Sequence, residues 1–206
     1  MAQEELKAAV AAFMKRAYGR GLTTATGGNV SARDGSVMLI TPSGKDKASL
    51  SADDIASVDI LTGSSLSPGM KLSIETEMHR LVYAARPDIK AIVHAHPVFA
   101  SLFSASEDKI DTAIIAESWY LLGDVRKVPY HLMGTRELAE AVAACSADGN
   151  ALLLENHGAI AFGRTLLEAF DRLECLEQSA KLTYISRTVG ITALDEGRKA
   201  AIAAMR

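Results

Sequence analysis

Two short apolar segments separated by Asp34-Gly35 constrain this chain more than any other local feature. Val30-Ser31-Ala32-Arg33 and Val37-Met38-Leu39-Ile40 are each of strand length, and Asp-Gly between such runs is a tight-turn signal that leaves them antiparallel. A second pair repeats the theme: Ala151 to Leu154 reads as a buried strand, Glu155-Asn156-His157-Gly158 as a turn, and Ala159 to Phe162 as the hairpin partner. Ala56 to Leu61 and Ala91 to Val98 read as further strands, with Arg126 to Tyr130 as another candidate. Helical spacing accounts for much of the rest. Leu6, Val10, Phe13, Met14 and Ala17 share one side of residues 4–18, which Gly19 and Gly21 close. Met78, Leu81, Val82 and Ala85 form the stripe of a helix that begins near Ser73 and ends at Arg86-Pro87. Thr135 caps a helix running to about Cys145. The capping box Thr165-Leu166-Leu167-Glu168 opens a long helix lined by Ala169, Phe170, Leu173, Leu176 and Ala180. Strands joined irregularly by hairpins and helices predict an α/β layer sandwich with a largely antiparallel sheet, not regular βαβ units. No fixed-period repeat or long biased linker divides the 206 residues, so one domain over 1–206 is expected.

Composition narrows the function. The chain is 49% apolar with only 5 Pro, which excludes disorder. Its 22 basic and 25 acidic side chains leave a net charge of −3, and no basic block occurs. That balance argues against a nucleic-acid platform or a membrane-surface binder. His, Lys or Glu interrupts every apolar window well before the roughly 18 residues that a membrane span needs. The opening MAQEEL has neither a positive flank nor an apolar core. No signal peptide is therefore expected, and the chain is read as cytoplasmic with Cys145 and Cys175 reduced.

Candidate chemistry is concentrated in a few short patterns. In His94-Ala95-His96, side chains two apart on a strand share a face, so both imidazoles can address one point. Neutral imidazole suits zinc and similar divalent metals, yet the pattern alone fits two half-exposed strand histidines equally well. His157 adds a third ring at the end of an apolar strand, where functional groups are often presented. Alone it reads as a turn histidine; with the pair, an open all-imidazole metal site becomes the better reading. Glu75 and His79 lie four apart at helical spacing, bordering the Met78/Val82 stripe. Partial desolvation there would raise the carboxyl pKa toward the range of a general base. A surface Glu–His pair favoured by the helix dipole is the plainer reading of those two residues alone. Thr26-Gly27-Gly28-Asn29 and Thr41-Pro42-Ser43-Gly44 offer converging N–H groups and hydroxyls for a phosphate, and Ser73 stands at an expected helix start. Ordinary hairpins use the same residues, and no Gly-Lys-Ser/Thr completes a P-loop.

In chain order, TGGN, TPSG, SIETEMH, HAH and NHG are motifs by which the chain resembles the class II aldolase/adducin family. The likeness is to short members of the fuculose-phosphate aldolase type and runs from about Gly21 to Tyr184. It implies a three-layer αβα sandwich and a fourfold-symmetric homotetramer with active sites at subunit interfaces. It implies a divalent metal, generally zinc, on His94, His96 and His157, with Glu75 as catalytic acid/base. Thr26, Gly28, Asn29, Ser43, Gly44 and Ser73 match positions that hold the substrate phosphate. The implied reaction is reversible cleavage of a ketose 1-phosphate to dihydroxyacetone phosphate and an aldehyde through a metal-stabilised enediolate. The chain departs from the pattern in three places. Ile74 stands where a second serine usually follows Ser73. Ala113-Ile114-Ile115-Ala116-Glu117 lacks the tyrosine that protonates the leaving aldehyde side, leaving Glu117 or Tyr120 as substitutes. No tyrosine follows Gly190 either. A sugar-phosphate 4-epimerase, dehydratase or decarboxylase would use the same ligands. A non-catalytic adducin-like interaction module is the alternative outside enzymology.

Overall fold

Strands β1 (Asn29–Asp34) and β2 (Val37–Ile40) pair antiparallel in the computed structural model, which describes residues 3–205. The turn falls one residue later than its sequence signal, on Gly35-Ser36, with Gly35 at φ 59°. A positive φ at the first turn position, which glycine adopts without strain, matches the twist of the strands it joins. Before the hairpin comes α1 (Gln3–Gly19), and after it β3 (Ala56–Asp59), α2 (Thr76–Ala85), β4 (Ala91–Ala95) and α3 (Val98–Ser104). The chain continues through α4 (Ala116–Leu122), β5 (Arg126–Val128), α5 (Arg136–Cys145), β6 (Ala151–Leu154) and β7 (Gly158–Gly163). Helices α6 (Leu166–Ser186) and α7 (Glu196–Ala203) complete it.

The seven strands form one sheet in the order β3-β2-β1-β4-β7-β6-β5, antiparallel at every pairing except β5–β6. Alternation along each strand divides the core in two. Val30, Ala32, Ala91, Val93 and Ala95 pack with Val10 and Met14 of α1, Phe103 of α3, and Phe170 and Leu173 of α6. Ile92, Leu152, Ile160 and Phe162 face the other way, against Met78 and Val82 of α2 and Leu138 and Val142 of α5. The result is the expected αβα sandwich. Each fully buried Leu, Ile or Phe contributes roughly 1.5–3 kcal/mol by leaving water.

Several boundaries differ from the sequence reading. The strand expected over Ala91 to Val98 ends at Ala95, because Pro97 has no N–H for the ladder and caps α3 instead. The run VFASLFS is therefore helix, though it is apolar enough to read as more strand. Pro129 likewise follows the end of β5 at Val128, and β3 stops at Asp59. Thr135 and Thr165 do cap their helices, accepting from Leu138 N and Glu168 N. Glu168 reaches back to Arg164 N at 2.6 Å, one residue before the expected arm of the box.

One buried polar chain ties the sheet to α2. Ser31 Oγ lies 2.7 Å from His79 Nδ1 and 2.8 Å from the Tyr83 hydroxyl, all three residues buried. Ser31→Ala leaves the buried His79 Nδ1 without its partner, at about 1–3 kcal/mol, while the Tyr83 hydroxyl keeps a backbone hydrogen bond with Ile92. Urea unfolding is expected to show a loss of about 1–3 kcal/mol with an unchanged slope. A loss below about 0.5 kcal/mol, within the range of ordinary surface substitutions, would show that the chain carries no such weight.

Candidate active site

The pairing of β1 with β4 places Asn29 directly opposite His94, and alternation turns both toward the α2 face. His94 is 0% exposed, one residue inside the end of its strand. His96 follows the strand end, with its backbone N–H held by Leu22 O at 3.1 Å. His157 sits in the three-residue loop between β6 and β7, beside Asn156 at φ 53°. The ring centroids of His94 and His96 are 4.9 Å apart, those of His94 and His157 4.9 Å, and those of His96 and His157 5.3 Å. One nitrogen from each ring falls within 4.8 Å of the other two, the one cluster among the described residues with the makings of a metal site.

Gly158 makes this packing possible. A Cβ there would lie 2.6 Å from Ala95 O and 2.7 Å from His96 Cδ2. Gly158→Ala must push the strand end and the His96 ring apart. We expect metal affinity to fall about 10–100-fold, the usual cost of losing support for a ligand. A chelator-competition titration reads it directly, and wild-type affinity would show that the ring tolerates displacement.

Glu75 is 6% exposed and precedes α2 as its cap residue, not as a member of the helix. The expected i, i+4 surface pair with His79 is therefore absent: His79 is fully buried against Ser31, and Glu75 turns into the histidine cluster. Its two carboxylate oxygens lie 3.2 Å from His94 Nε2 and 3.2 Å from His157 Nε2. Asn29 Nδ2 donates to Glu75 Oε2 at 2.7 Å and to Ser73 Oγ at 3.1 Å, fixing both.

The electrostatics of this cluster favour a cation. His94 Nδ1 lies 2.9 Å from Ala159 O, so it carries the proton and leaves Nε2 bare. Burial, then the neighbouring His96 and His157, hold the His94 pKa well below the usual imidazole range. Burial and His157 lower that of His96, and burial foremost lowers that of His79 to about 3. His94 and His96 are thus held toward the neutral form, the one that ligates metal. His94 Nε2 and Glu75 Oε1 have no hydrogen-bond partner, although both are buried. A bare nitrogen facing a carboxylate is acceptor against acceptor. Three imidazoles and a carboxylate are the donor set of zinc and similar divalent ions.

A cavity of about 180 Å³ opens beside the cluster, lined by Thr26, Gly28, Asn29, Ser43, Ser73 and Glu75 among others. Larger hollows of about 400 and 570 Å³ lie beside Arg20 and Glu174, and beside Lys109 and Cys145. Neither holds a ligand cluster, so donor chemistry and not size marks the site. At Gly28, φ is 65°, and a Cβ would meet His94 O at 2.7 Å, which ties the first turn tightly to β4.

Residues 8–184 match the family model described as Class II Aldolase and Adducin N-terminal domain. The chain belongs to that family. An L-fuculose phosphate aldolase of Methanococcus maripaludis is 35% identical over 168 residues, covering 82% of this chain and 90% of that protein. A 3-oxo-tetronate 4-phosphate decarboxylase of Haemophilus influenzae is 34% identical, covering 81% of each. The crystal structure of L-fuculose-1-phosphate aldolase from Thermus thermophilus superposes with a TM-score of 0.80 at 33% identity, over 89% of this chain and 95% of that one.

Within this class II aldolase family chain, the structure gathers His94, His96, His157, Glu75, Asn29, Ser73, Ser43, Thr26 and Gly28 around one cavity. Gly44 lies just beyond its lining, exposed at φ 72°. Glu117 and Tyr120 are not brought there. Glu117 is exposed in the first turn of α4, and Tyr120 lines a separate hollow with Asn150, Arg164 and Arg172. His131 stays in the loop between β5 and α5. Trp119 donates to Lys199 O at 3.1 Å, packing α4 against α7. Sequence reasoning missed Lys47, which lines the cavity from the loop after TPSG. Its only signal was a lysine within a turn-rich stretch, indistinguishable from Lys45 two residues earlier. No helix among the described residues is long and apolar enough to cross a membrane.

Proposed function

We propose that the chain is a zinc-dependent aldolase that cleaves a ketose 1-phosphate of the fuculose 1-phosphate type to dihydroxyacetone phosphate and an aldehyde. One observation carries the reading: a bare imidazole nitrogen and a carboxylate oxygen held 3.2 Å apart in a buried cluster beside a hydroxyl-lined cavity. His94, His96 and His157 would hold the ion. When bound, it supplies Lewis-acid stabilisation of the negative charge developing on the substrate's oxygens. The remaining work falls to side chains. Asn29 orients Glu75, whose carboxylate takes a proton from, or returns it to, the enediolate carbon. Ser73 Oγ accepts from Asn29 Nδ2 and Glu75 N, which leaves its own O–H to donate to a phosphate oxygen. Thr26, Ser43 and the N–H groups of Gly28, Asn29 and Gly44 complete the cradle.

Both N–H bonds of the Asn29 amide are committed to Ser73 and Glu75, so its part in holding phosphate falls to the backbone. Ile74 is 56% exposed and Met133 59% exposed at the cavity mouth. These apolar groups support the proposed homotetramer, in which a second copy closes the site. Glu117 and Tyr120 would then serve a neighbouring copy, on the side of the leaving aldehyde.

The test incubates zinc-loaded protein with fuculose 1-phosphate and related ketose 1-phosphates and follows dihydroxyacetone phosphate by coupled reduction. No release from any of them, with metal bound, overturns the aldolase reading. Decarboxylation is the second reading. It is favoured by the missing tyrosine in residues 113–117 and by the nearly equal likeness to the Haemophilus influenzae decarboxylase. Both reactions break a carbon–carbon bond and leave an enediolate to be protonated. Carbon dioxide from a 3-oxo-tetronate 4-phosphate, identified together with its partner product by NMR, separates the two.

A further inference from the structure

Lys47 stands apart from the residues used so far. Its side chain is 1% exposed, yet it lines the cavity beside Glu75, Ser43 and Ser73. It is the one lysine or arginine among the described residues of that lining. Nζ donates to Pro42 O at 2.7 Å, and the Lys47 backbone N–H donates to Ala25 O at 2.8 Å. The residue therefore ties together both small-residue stretches, through its backbone at Ala25, immediately before Thr26-Gly27-Gly28-Asn29, and through its side chain at Pro42 of Thr41-Pro42-Ser43-Gly44. Pro42 O engages one of the three ammonium donors. No carboxylate among the described residues pairs with it, unlike Lys45, whose ammonium contacts Asp54. Burial alone brings the Lys47 pKa down to about 8.

An unpaired buried ammonium is costly, and folds that keep one have an anion to offset it. The group bonded to its ammonium is a neutral carbonyl, and Glu75, the one carboxylate among the described residues of the lining, is held by Asn29 and forms no ion pair with it, so the anion must come from outside. A phosphate monoester brings between one and two negative charges, more than neutral donors match. Ile74, where the family pattern has a second serine, removes one of those donors.

We infer that Lys47 is the cation that recognises the phosphate group of the substrate, held ready by the two turns it joins. This rests on the sugar-phosphate reading above. Lys47 is a binding and specificity residue and takes no part in moving protons at carbon. It sets a preference for phosphorylated over neutral sugars that hydroxyls and backbone N–H groups alone would not supply.

The test uses inorganic phosphate as probe and isothermal titration of zinc-loaded wild type, Lys47→Met, Lys47→Arg and Ser43→Ala. Lys47→Met is expected to weaken phosphate binding about 10–100-fold, the range of one charge-assisted hydrogen bond. Lys47→Arg keeps the charge and is expected to stay within about threefold of wild type. The thermal midpoint of phosphate-free Lys47→Met should be unchanged or higher, because a buried unpaired charge has gone. A lysine that only clasped the turns would give the reverse: a lower midpoint and wild-type phosphate affinity, and that pair of results overturns the inference. If Lys47→Met does not fold, Lys47→Gln, which keeps a donor for Pro42 O without the charge, carries the same comparison. Weakening by Ser43→Ala but not by Lys47→Met removes Lys47 alone. Failure of wild type to bind phosphate overturns the sugar-phosphate reading itself.

Discussion

His96→Ala protein is expected to purify without stoichiometric zinc, with turnover falling together with its metal content. Of the proposed ligands, His96 can be removed at less cost to the fold than His94. His94 is fully buried inside β4 and holds Ala159 O, so its loss would leave a cavity and an unpaired carbonyl. His96 lies past the strand end and is partly exposed, so truncation relaxes into solvent. Two imidazoles and one carboxylate bind a divalent ion much more weakly than the full set. Losing the ion forfeits several kcal/mol of charge stabilisation, about 10³-fold or more in rate. Elemental analysis beside a steady-state assay checks both halves. Full zinc occupancy in the variant would remove His96 from the ligand set, and full activity without metal would remove metal from the reaction.

Glu75→Gln tests the proposed proton carrier apart from the proposed ligands. The amide oxygen can still accept from Asn29 Nδ2, which now donates to Glu75 Oε2 at 2.7 Å, so the side chain keeps its place. The three imidazoles remain, and zinc should stay bound. Proton transfer at carbon is lost, which costs about 10²–10⁴ in kcat. A second, independent effect follows from the other carboxylate oxygen. With the amide oxygen held by Asn29, the glutamine N–H takes the place of Oε1, which has no hydrogen-bond partner and lies 3.2 Å from His157 Nε2, and can donate to that ring. Metal-free Glu75→Gln should therefore melt above metal-free wild type. Unchanged turnover takes Glu75 out of the acid/base role. A lower melting point without metal would mean that the His157 contact is already satisfied in the wild type.

Much of the fold was legible because its signals are local. Apolar residues at helical spacing placed α1, α2 and α6, the Thr135 cap placed α5, and two pairs of short apolar segments separated by turn residues placed both hairpins. Errors came where a local pattern fits two outcomes. Val98 to Ser104 is apolar throughout, and only Pro97, which cannot donate to the ladder, decides that the strand stops at Ala95. The small-residue turns and the ordered histidines were similarly visible as a set. What each side chain does there was not. Asn29 spends its amide on Glu75 and Ser73 because β1 pairs with β4 in one particular register.

By itself, then, the sequence determined the α/β layer class, the largely antiparallel sheet and the membership of the histidine cluster, which follow from spacing along the chain and from residue chemistry, while the αβα layering was implied by the family resemblance. The tertiary structure alone decided that Glu75 leaves its helix to face His94 and His157, that His79 is buried under the sheet with Ser31, and that Lys47 and not Lys45 reaches the cavity. The physical reason is common to all three. Burial, pairing and desolvation are set by neighbours far apart in sequence, and two lysines two residues apart differ only in what the folded chain packs around them.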